Sequence, residues 1–411
     1  MTARHVEVVE MSGHIIDSLL LPKVLDAIMT RGAGYEVQEF RIGKRQEDPS
    51  YARIEVRAES AAVLERVLVE LHPHGAVPVH TSDCKAIVAD VAGAYPEGFY
   101  CTTNFRTEVR LKGEWIEVKD QEMDCGIALD PESSAARCVP MASVRLGDRI
   151  VVGHAGIRVF PIEGAEKKHN LFEFMTSAVS SEKPKAVSVR EIAHAMRRTK
   201  AAGEKILAVL GPAVVHTGGG DIVARLIRDG FLNVLFAGNA LATHDMEQAF
   251  YGTSLGVSLE RGLPTDEGHE HHLRTINTIR RLGGIAKAVE SGRLTSGIMY
   301  ECVKHNVPFV LAGSIRDDGP LPEVVTDSLV AQDAMRRLIP GVGFCLMVAT
   351  TLHSIAVGNL LPAWVKVACV DISPATVTKL MDRGSTQTVG IVSDAEPFLR
   401  SLMAELEKPV A

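Results

Sequence analysis

Over the first eighty residues, strand-like and amphipathic helical patterns alternate. Strand patterns cover about His5–Glu10, Gly34–Arg41, Tyr51–Arg57 and Val77–Val79. Apolar residues recur at helical spacing over about Asp17–Arg31 and Ser60–Leu71. A polar turn through Glu47, Asp48, Pro49 and Ser50 joins the second and third strands. The order βαββαβ predicts a ferredoxin-like α+β domain over residues 1–84. Such domains bind small ligands or mediate oligomer contacts, but a fold does not fix a function.

Residues 85–187 change character. Gly, Pro and alternating patterns at Thr107–Leu111, Glu114–Val118, Arg149–Val152 and Ile157–Phe160 predict a β-rich module that would bind substrate. Over 188–411 the rhythm is βα. Apolar runs at Ile206–Leu210, Val234–Ala237, Phe309–Leu311, Phe344–Val348, Val365–Val370 and Val389–Val392 are mostly separated by helix-length segments. That alternation predicts a Rossmann-like parallel sheet covered by helices, so the chain as a whole is α/β.

Ligands of parallel sheets sit beyond the carboxyl ends of the strands. The residues that follow each strand are therefore the first candidates. After Leu210 comes His216-Thr217-Gly218-Gly219-Gly220, either a phosphate cradle at a helix start or a plain glycine-rich turn. After Ala237 come Asn239 and Ala240, with Asn239 placed for a ribose or amide. His244, Asp245 and Glu247 then bring titratable groups to the start of a helix, which Thr243 or Asp245 could equally well cap. Asp317-Asp318, the Thr350-Thr351-Leu352-His353 segment and Asp371 follow later strands. Five polar strand ends in one sheet point to a dinucleotide or similar ligand.

The β-rich module holds a second polar cluster, Pro96–Asn104 and Glu122–Cys125. Cys125 is a candidate thiolate, against the reading of a small core residue. Gly268-His269-Glu270-His271-His272 is metal-like in composition, but it lacks the HExxH spacing and no metal is expected.

Composition narrows the class. The net charge is −7 and aromatic residues make up 5 %, so neither a cationic phosphate-binding surface nor a base-stacking platform is expected, and nucleic acid and membrane are excluded as partners. Seven cysteines at 84, 101, 125, 138, 302, 345 and 369 form no CxxC pair. Their odd number fits a reducing cytoplasm better than a disulfide framework. The first residues lack the apolar core and cleavage site of a signal peptide, and no stretch reaches eighteen uninterrupted apolar residues.

The segments MSGHIIDSLLLPKVLDAI, YPEGFYCTTN, GEWIEVKDQEMDC and GNALATHDME together resemble one family over essentially the whole chain. It is the group defined by the conserved region of lysine-oxoglutarate reductase/saccharopine dehydrogenase (LOR/SDH) bifunctional proteins. Its members include archaeal-type ornithine cyclodeaminases and the C-terminal part of a cyanobacterial arginine dihydrolase/ornithine cyclodeaminase. The C-terminal half also resembles deoxyhypusine synthase, a distant NAD-binding relative, at HTGGG, FAGNALATHD, LAGSIRDDGPL and TLHSIAVGNL. There the catalytic lysine of that enzyme is matched by Leu352, with His353 kept beside it. Without the lysine no imine with an aminobutyl group can form, which argues against deoxyhypusine synthesis.

The resemblance implies bound NAD held by Asn239, Ala240, Asp318, Thr350, Thr351, Leu352, His353, Asp371, Asp394 and Ala395, beside the Thr217-Gly218-Gly219 turn already noted. It implies conversion of L-ornithine to L-proline and ammonia through transient hydride transfer, in a homo-oligomer, dimer or tetramer. Asp245, His244, Asp124 and Cys125 are the candidate catalytic groups. Asn104, Arg106 and Lys119 are the candidate substrate contacts, with structural ion pairing as the other reading of the charged residues. Other readings are a lysine cyclodeaminase, a saccharopine-type oxidoreductase, or a non-catalytic regulator that binds NAD or an amino acid.

Overall fold

A computed structural model describes residues 5–16, 19–43, 48–71, 74–79, 82–130, 135–160, 185–254, 257–258, 271–317, 319–383 and 388–408. The chain divides into two compact units: Met1–Phe174 with Leu361–Trp364, and Met175–Leu360 with Val365–Ala411. Among the described residues no helix is long and apolar enough to cross a membrane.

The first unit holds two sheets. Strands β1 (His5–Gly13), β2 (Gly34–Arg41), β3 (Ser50–Ala58) and β4 (Val77–Pro78) lie in the order β2-β3-β1-β4, with helices α1 (Leu20–Thr30) and α2 (Ala61–Leu71) between them in the chain. Every pairing is antiparallel. This is the ferredoxin-like order that the βαββαβ pattern predicts. Strand β3 shows the cause: Ala52, Ile54, Val56 and Ala58 are buried in one cluster with Val24, Ile28, Val67 and Leu71 of the helices. Its alternate residues Arg53, Glu55 and Arg57 stand on the other face, where Arg53 pairs with Glu10 and Arg57 with both Glu36 and Glu55.

The second sheet of this unit contains β5 (Lys85–Val88), β6 (Arg106–Leu111), β7 (Glu114–Lys119), β8 (Gly126–Asp130), β9 (Ala135–Val139), β10 (Arg149–Val152) and β11 (Ile157–Phe160). Its order is β11-β6-β7-β9-β8-β10-β5. Among the described residues of this sheet, β7 and β9 alone run parallel. Tyr95 lies flat over Gly126, where an added Cβ would come 2.7 Å from its ring. The Tyr95 hydroxyl donates to the Val139 carbonyl at 2.6 Å, and the ring stacks on Phe99 at 4.4 Å.

The second unit begins with helix α3 (Lys185–Ala201) and then alternates. Strand β12 (Lys205–Leu210) leads through α4 (Ala213–His216) and α5 (Gly220–Arg228) to β13 (Val234–Gly238). Helix α6 (Asn239–Tyr251) precedes a small hairpin, β14 (Thr253–Ser254) with β15 (Val257–Ser258). Helices α7 (His271–Leu282), α8 (Ile285–Glu290) and α9 (Ile298–Lys304) lead to β16 (Phe309–Ala312) and β17 (Val324–Val325). The chain ends with α10 (Ser328–Arg336), β18 (Val342–Val348), α11 (Leu352–Leu360), β19 (Lys366–Asp371), α12 (Pro374–Arg383), β20 (Thr388–Val392) and α13 (Ala395–Glu407). The order β17-β16-β13-β12-β18-β19-β20 is parallel throughout and is the Rossmann order with one short extra edge strand. Both faces are covered. Leu235 and Ala237 pack into a cluster with Met196, Leu226 and Leu402, while Phe236 between them is also fully buried.

Candidate active site

The switch point of a Rossmann sheet lies where successive crossovers leave in opposite directions, here between β12 and β18. The two strand ends touch there. Gly211 N–H donates to the Val348 carbonyl at 2.9 Å, and a Cβ on Gly211 would stand 1.8 Å from the Ala349 carbonyl oxygen. No other residue fits at 211 without moving backbone. Ala349 itself takes a left-handed φ of 54°, an uncommon conformation for a residue with a side chain. Its amide donates to the Val370 carbonyl of the next strand at 2.9 Å. Three strand ends are thus tied together by backbone.

The sequence candidates sit along these ends. Thr351 Oγ1 lies 3.2 Å from Thr376 Oγ1, and Leu352 is 80 % exposed at the first turn of α11. His353 reaches across to β13: its Cε1 would be 3.4 Å from a Cβ placed on Gly238. Burial pushes its imidazole below the usual range, which favours the neutral ring. Ser354 follows with a buried hydroxyl that has no hydrogen-bond partner among the described residues. Half-buried Ala240 and buried Asn239 open α6. The Asn239 Oδ1 accepts the Leu321 amide at 3.0 Å, so it braces the segment after β16. Asp371 Oδ1 accepts the Ser373 amide at 2.8 Å. Asp394 caps α13 by accepting the Ala395 amide at 2.6 Å, and Ala395 is buried. Thr217 is exposed and its hydroxyl donates to the Ala213 carbonyl at 2.9 Å. Gly218 has φ 87°, and a Cβ on Gly219 would meet Val214 O and Leu399 Cδ1 at 2.9 Å. That turn is close-packed on its own protein. Asp318 lies outside the described residues, as do Gly268, His269 and Glu270.

A dinucleotide fits these strand ends. A buried unpartnered hydroxyl at the start of α11 and a carboxylate at the end of the neighbouring strand are features such a ligand uses.

A second cluster starts about 7.5 Å along α6 from Asn239, five residues at 1.5 Å each. His244 and Glu247 stand three residues apart and share a helix face. His244 Nδ1 lies 2.8 Å from Glu247 Oε2. Helix α6 ends at Gly252, whose φ of 67° turns the chain back. Thr253 then donates to Glu247 Oε1 at 2.9 Å and lies 2.8 Å from His271 Nδ1. His216 Nδ1 lies 2.6 Å from Ser254 Oγ, with its ring 4.7 Å from that of His244. Burial, with His244 adjacent, pushes His216 down to about 4, so it is neutral near pH 7. The His272 ring is 6.4 Å from His244, and Tyr251 stacks on His271 at 4.5 Å. Among the described residues no three His, Cys, Asp or Glu are arranged to hold a metal ion.

Asp245 faces elsewhere. Its two oxygens accept the Ile298 and Met299 amides at 2.7 and 2.8 Å. Gly297 leaves room for it, since a Cβ there would come 2.8 Å from both oxygens. Burial pushes this carboxyl up to about 7, against the pull of the two amides. The geometry makes it the brace of the α9 start.

In the first unit, Thr102 ties the two flagged segments together. Its hydroxyl donates to the Glu122 carbonyl at 2.7 Å and accepts the Cys125 amide at 3.0 Å. Cys125 is buried with its Sγ 2.9 Å from Glu122 Oε1, while Asp124 is exposed with φ 61°. The carbonyl of buried Asn104 accepts the Ala363 amide at 2.8 Å. Arg106 pairs with Glu108 at 2.8 Å, which also holds Arg158 at 2.5 Å, so its charge is already matched. Lys119 is exposed at the end of β7.

Three family models cover the chain. Residues 6–105 match the LOR/SDH bifunctional enzyme conserved region. Residues 106–189 match the first region, and 190–402 the Rossmann fold, of the arginine dihydrolase ArgZ-like C-terminal part. The ornithine cyclodeaminase of Methanopyrus kandleri is 53 % identical over 408 residues, covering 99 % of this chain and 98 % of that one. The apo structure of ArgZ, an arginine dihydrolase from the ornithine-ammonia cycle in cyanobacteria, superposes with a TM-score of 0.84 at 39 % identity. It is covered over 59 % of its length by 99 % of this chain. The ternary complex of AgrE with ornithine and NAD+ matches at 42 % identity and a TM-score of 0.54, over 98 % of this chain and 57 % of that one. The chain belongs to the ornithine cyclodeaminase family, whose archaeal members it matches over nearly their whole length.

Proposed function

We propose that this protein is an NAD-dependent ornithine cyclodeaminase that converts L-ornithine to L-proline and ammonia. The observation that carries the reading is the Rossmann switch point at Gly211 and Ala349, in a chain 42 % identical to a protein crystallised with ornithine and NAD+. The net reaction breaks one C–N bond and closes another, and it leaves no net oxidation. When bound, NAD+ supplies a hydride acceptor at the substrate Cα and returns the hydride to the cyclised imine.

The residues at the strand ends hold the cofactor: the backbone of Gly211 and of 349–353, with Asp371 beside them. The acid at 371 suits a ribose hydroxyl and disfavours a 2′-phosphate. Ring closure needs a neutral amine, so the ammonium groups of ornithine must lose protons. His244 takes that role. Neutral His216 at its edge adds no competing charge. Asp245 holds the helix end and takes no part in the proton transfer.

Incubation of purified protein with L-ornithine and catalytic NAD+ tests the reading. Proline and ammonia in equal amounts, with no lasting NADH absorbance, are expected. Lasting NADH would instead mark a dehydrogenase of the saccharopine type. Ligand binding without ammonia would mark a regulator, and turnover of lysine in place of ornithine would move the substrate assignment.

A further inference from the structure

We propose that Glu247 is a positioning residue: it fixes the proton of His244 on Nδ1 and so leaves Nε2 as the basic atom. This rests on the reading of His244 as the proton carrier.

The hydrogen-bond directions carry the argument. We take Glu247 as ionised: it then only accepts, and the 2.8 Å contact from His244 Nδ1 to Glu247 has the imidazole as donor. In a neutral ring the other nitrogen must then be the acceptor. The second Glu247 oxygen is held by the Thr253 hydroxyl at 2.9 Å. Since Thr253 has given its only proton to Glu247, its 2.8 Å contact with His271 Nδ1 has His271 as donor. The chain His271 to Thr253 to Glu247 to His244 is thus directional, and both ends of the carboxylate are pinned. Glu247 is fully buried, so its orientation is set by packing as well as by these bonds.

The titratable groups around His244 on the elements packed there are Glu247 on α6, His216 on α4, and His271 and His272 on α7, beside Thr253 and Ser254 of the hairpin; Asp245, next to His244 in the chain, faces the α9 amides. His216 is neutral at working pH. Glu247 is the group in direct contact with the Nδ1 atom.

The test uses full-length protein labelled with 15N-histidine. Long-range proton–nitrogen correlation, assigned by the signal lost in His244→Gln, is expected to show Nδ1 protonated and Nε2 bare in the neutral ring. The Nε2–H tautomer would overturn the proposal. In kinetics, Glu247→Gln is expected to lower kcat by roughly 10²–10⁴-fold with KM for ornithine little changed. Glu247→Asp should restore part of kcat. A merely structural role would lower Tm and leave kcat per folded molecule unchanged, which would overturn the positioning role. Should Glu247→Gln fail to fold, Thr253→Val serves the same purpose, with a smaller loss of kcat expected and an unchanged kcat against the proposal. Full turnover in His244→Gln would sink the proton-carrier reading alone; the tautomer measurement is independent of it.

Discussion

The β3 strand of the first unit and the β13 strand of the second use their polar neighbours in opposite ways. Along β3, Arg53, Glu55 and Arg57 alternate with buried Ile54 and Val56, and their charges are matched by partners on the same open face. Along β13 both faces are buried, from Val234 to Ala237, so nothing polar can stand on the strand itself. Polar residues are displaced to its carboxyl end and the helix beyond, where Asn239, His244, Asp245 and Glu247 follow in nine residues. A sheet open on one side spreads its charges into ion pairs. A sheet closed on both sides concentrates them at one rim, and there a site can form.

The comparison can be broken by substitution. Phe236→Ala should have the largest effect, a loss of about 3–5 kcal/mol in denaturant unfolding, because it empties a fully buried site under helices. A loss no greater than that of a surface change would contradict the two-sided burial.

Gly211→Ala comes next. The added Cβ must displace the Ala349 carbonyl, at a cost of about 1–3 kcal/mol. Because the displaced backbone is the proposed cofactor rim, NAD+ affinity measured by titration calorimetry should fall with it. Wild-type affinity in a folded Gly211→Ala protein would move the cofactor elsewhere.

Asp245→Asn separates a structural carboxylate from the neighbouring Glu247. The amide can satisfy one of the two α9 amides, not both, so about 1–3 kcal/mol is lost. The pH dependence is more specific. The folded carboxyl titrates near 7 and the unfolded one near its ordinary 3.8. Between those values the folded state keeps a proton that the unfolded state has lost, so this group makes stability fall as pH rises. Unfolding followed from pH 4 to 7 should lose that slope in Asp245→Asn. An unchanged slope would assign it to other groups.

Arg57→Ala should do least. Its partners Glu36 and Glu55 share an exposed face, and the unfolding midpoint is expected to stay within error. A clear drop would mean that the open face of the first sheet is more than solvated.

Much of the fold was legible because each sheet writes its burial into a local pattern. The strands at Gly34–Arg41, Arg149–Val152 and Ile157–Phe160 coincide with the spans their patterns predict. The α1 helix begins at Leu20, later than the periodicity from Asp17 suggests. Strands β8 and β9 carry weak strand signals at Gly126 and Cys138, and the space over Gly126 is filled by Tyr95, a contact no local pattern shows. The rim residues were visible as strand ends. Their partners were not. Asp245 meets amides 53 and 54 residues away, and Glu247 is completed by Thr253 and His271. Position after a strand says that a carboxylate stands near a site; only the tertiary contact says which carboxylate braces a helix and which holds a histidine.

The most direct test of the functional account follows one hydrogen. L-Ornithine deuterated at Cα, given to the enzyme with catalytic NAD+, should yield L-proline that keeps deuterium at Cα, together with equimolar ammonia and no residual NADH. Proline carrying solvent hydrogen at Cα, or deuterium accumulating in reduced cofactor, would contradict it.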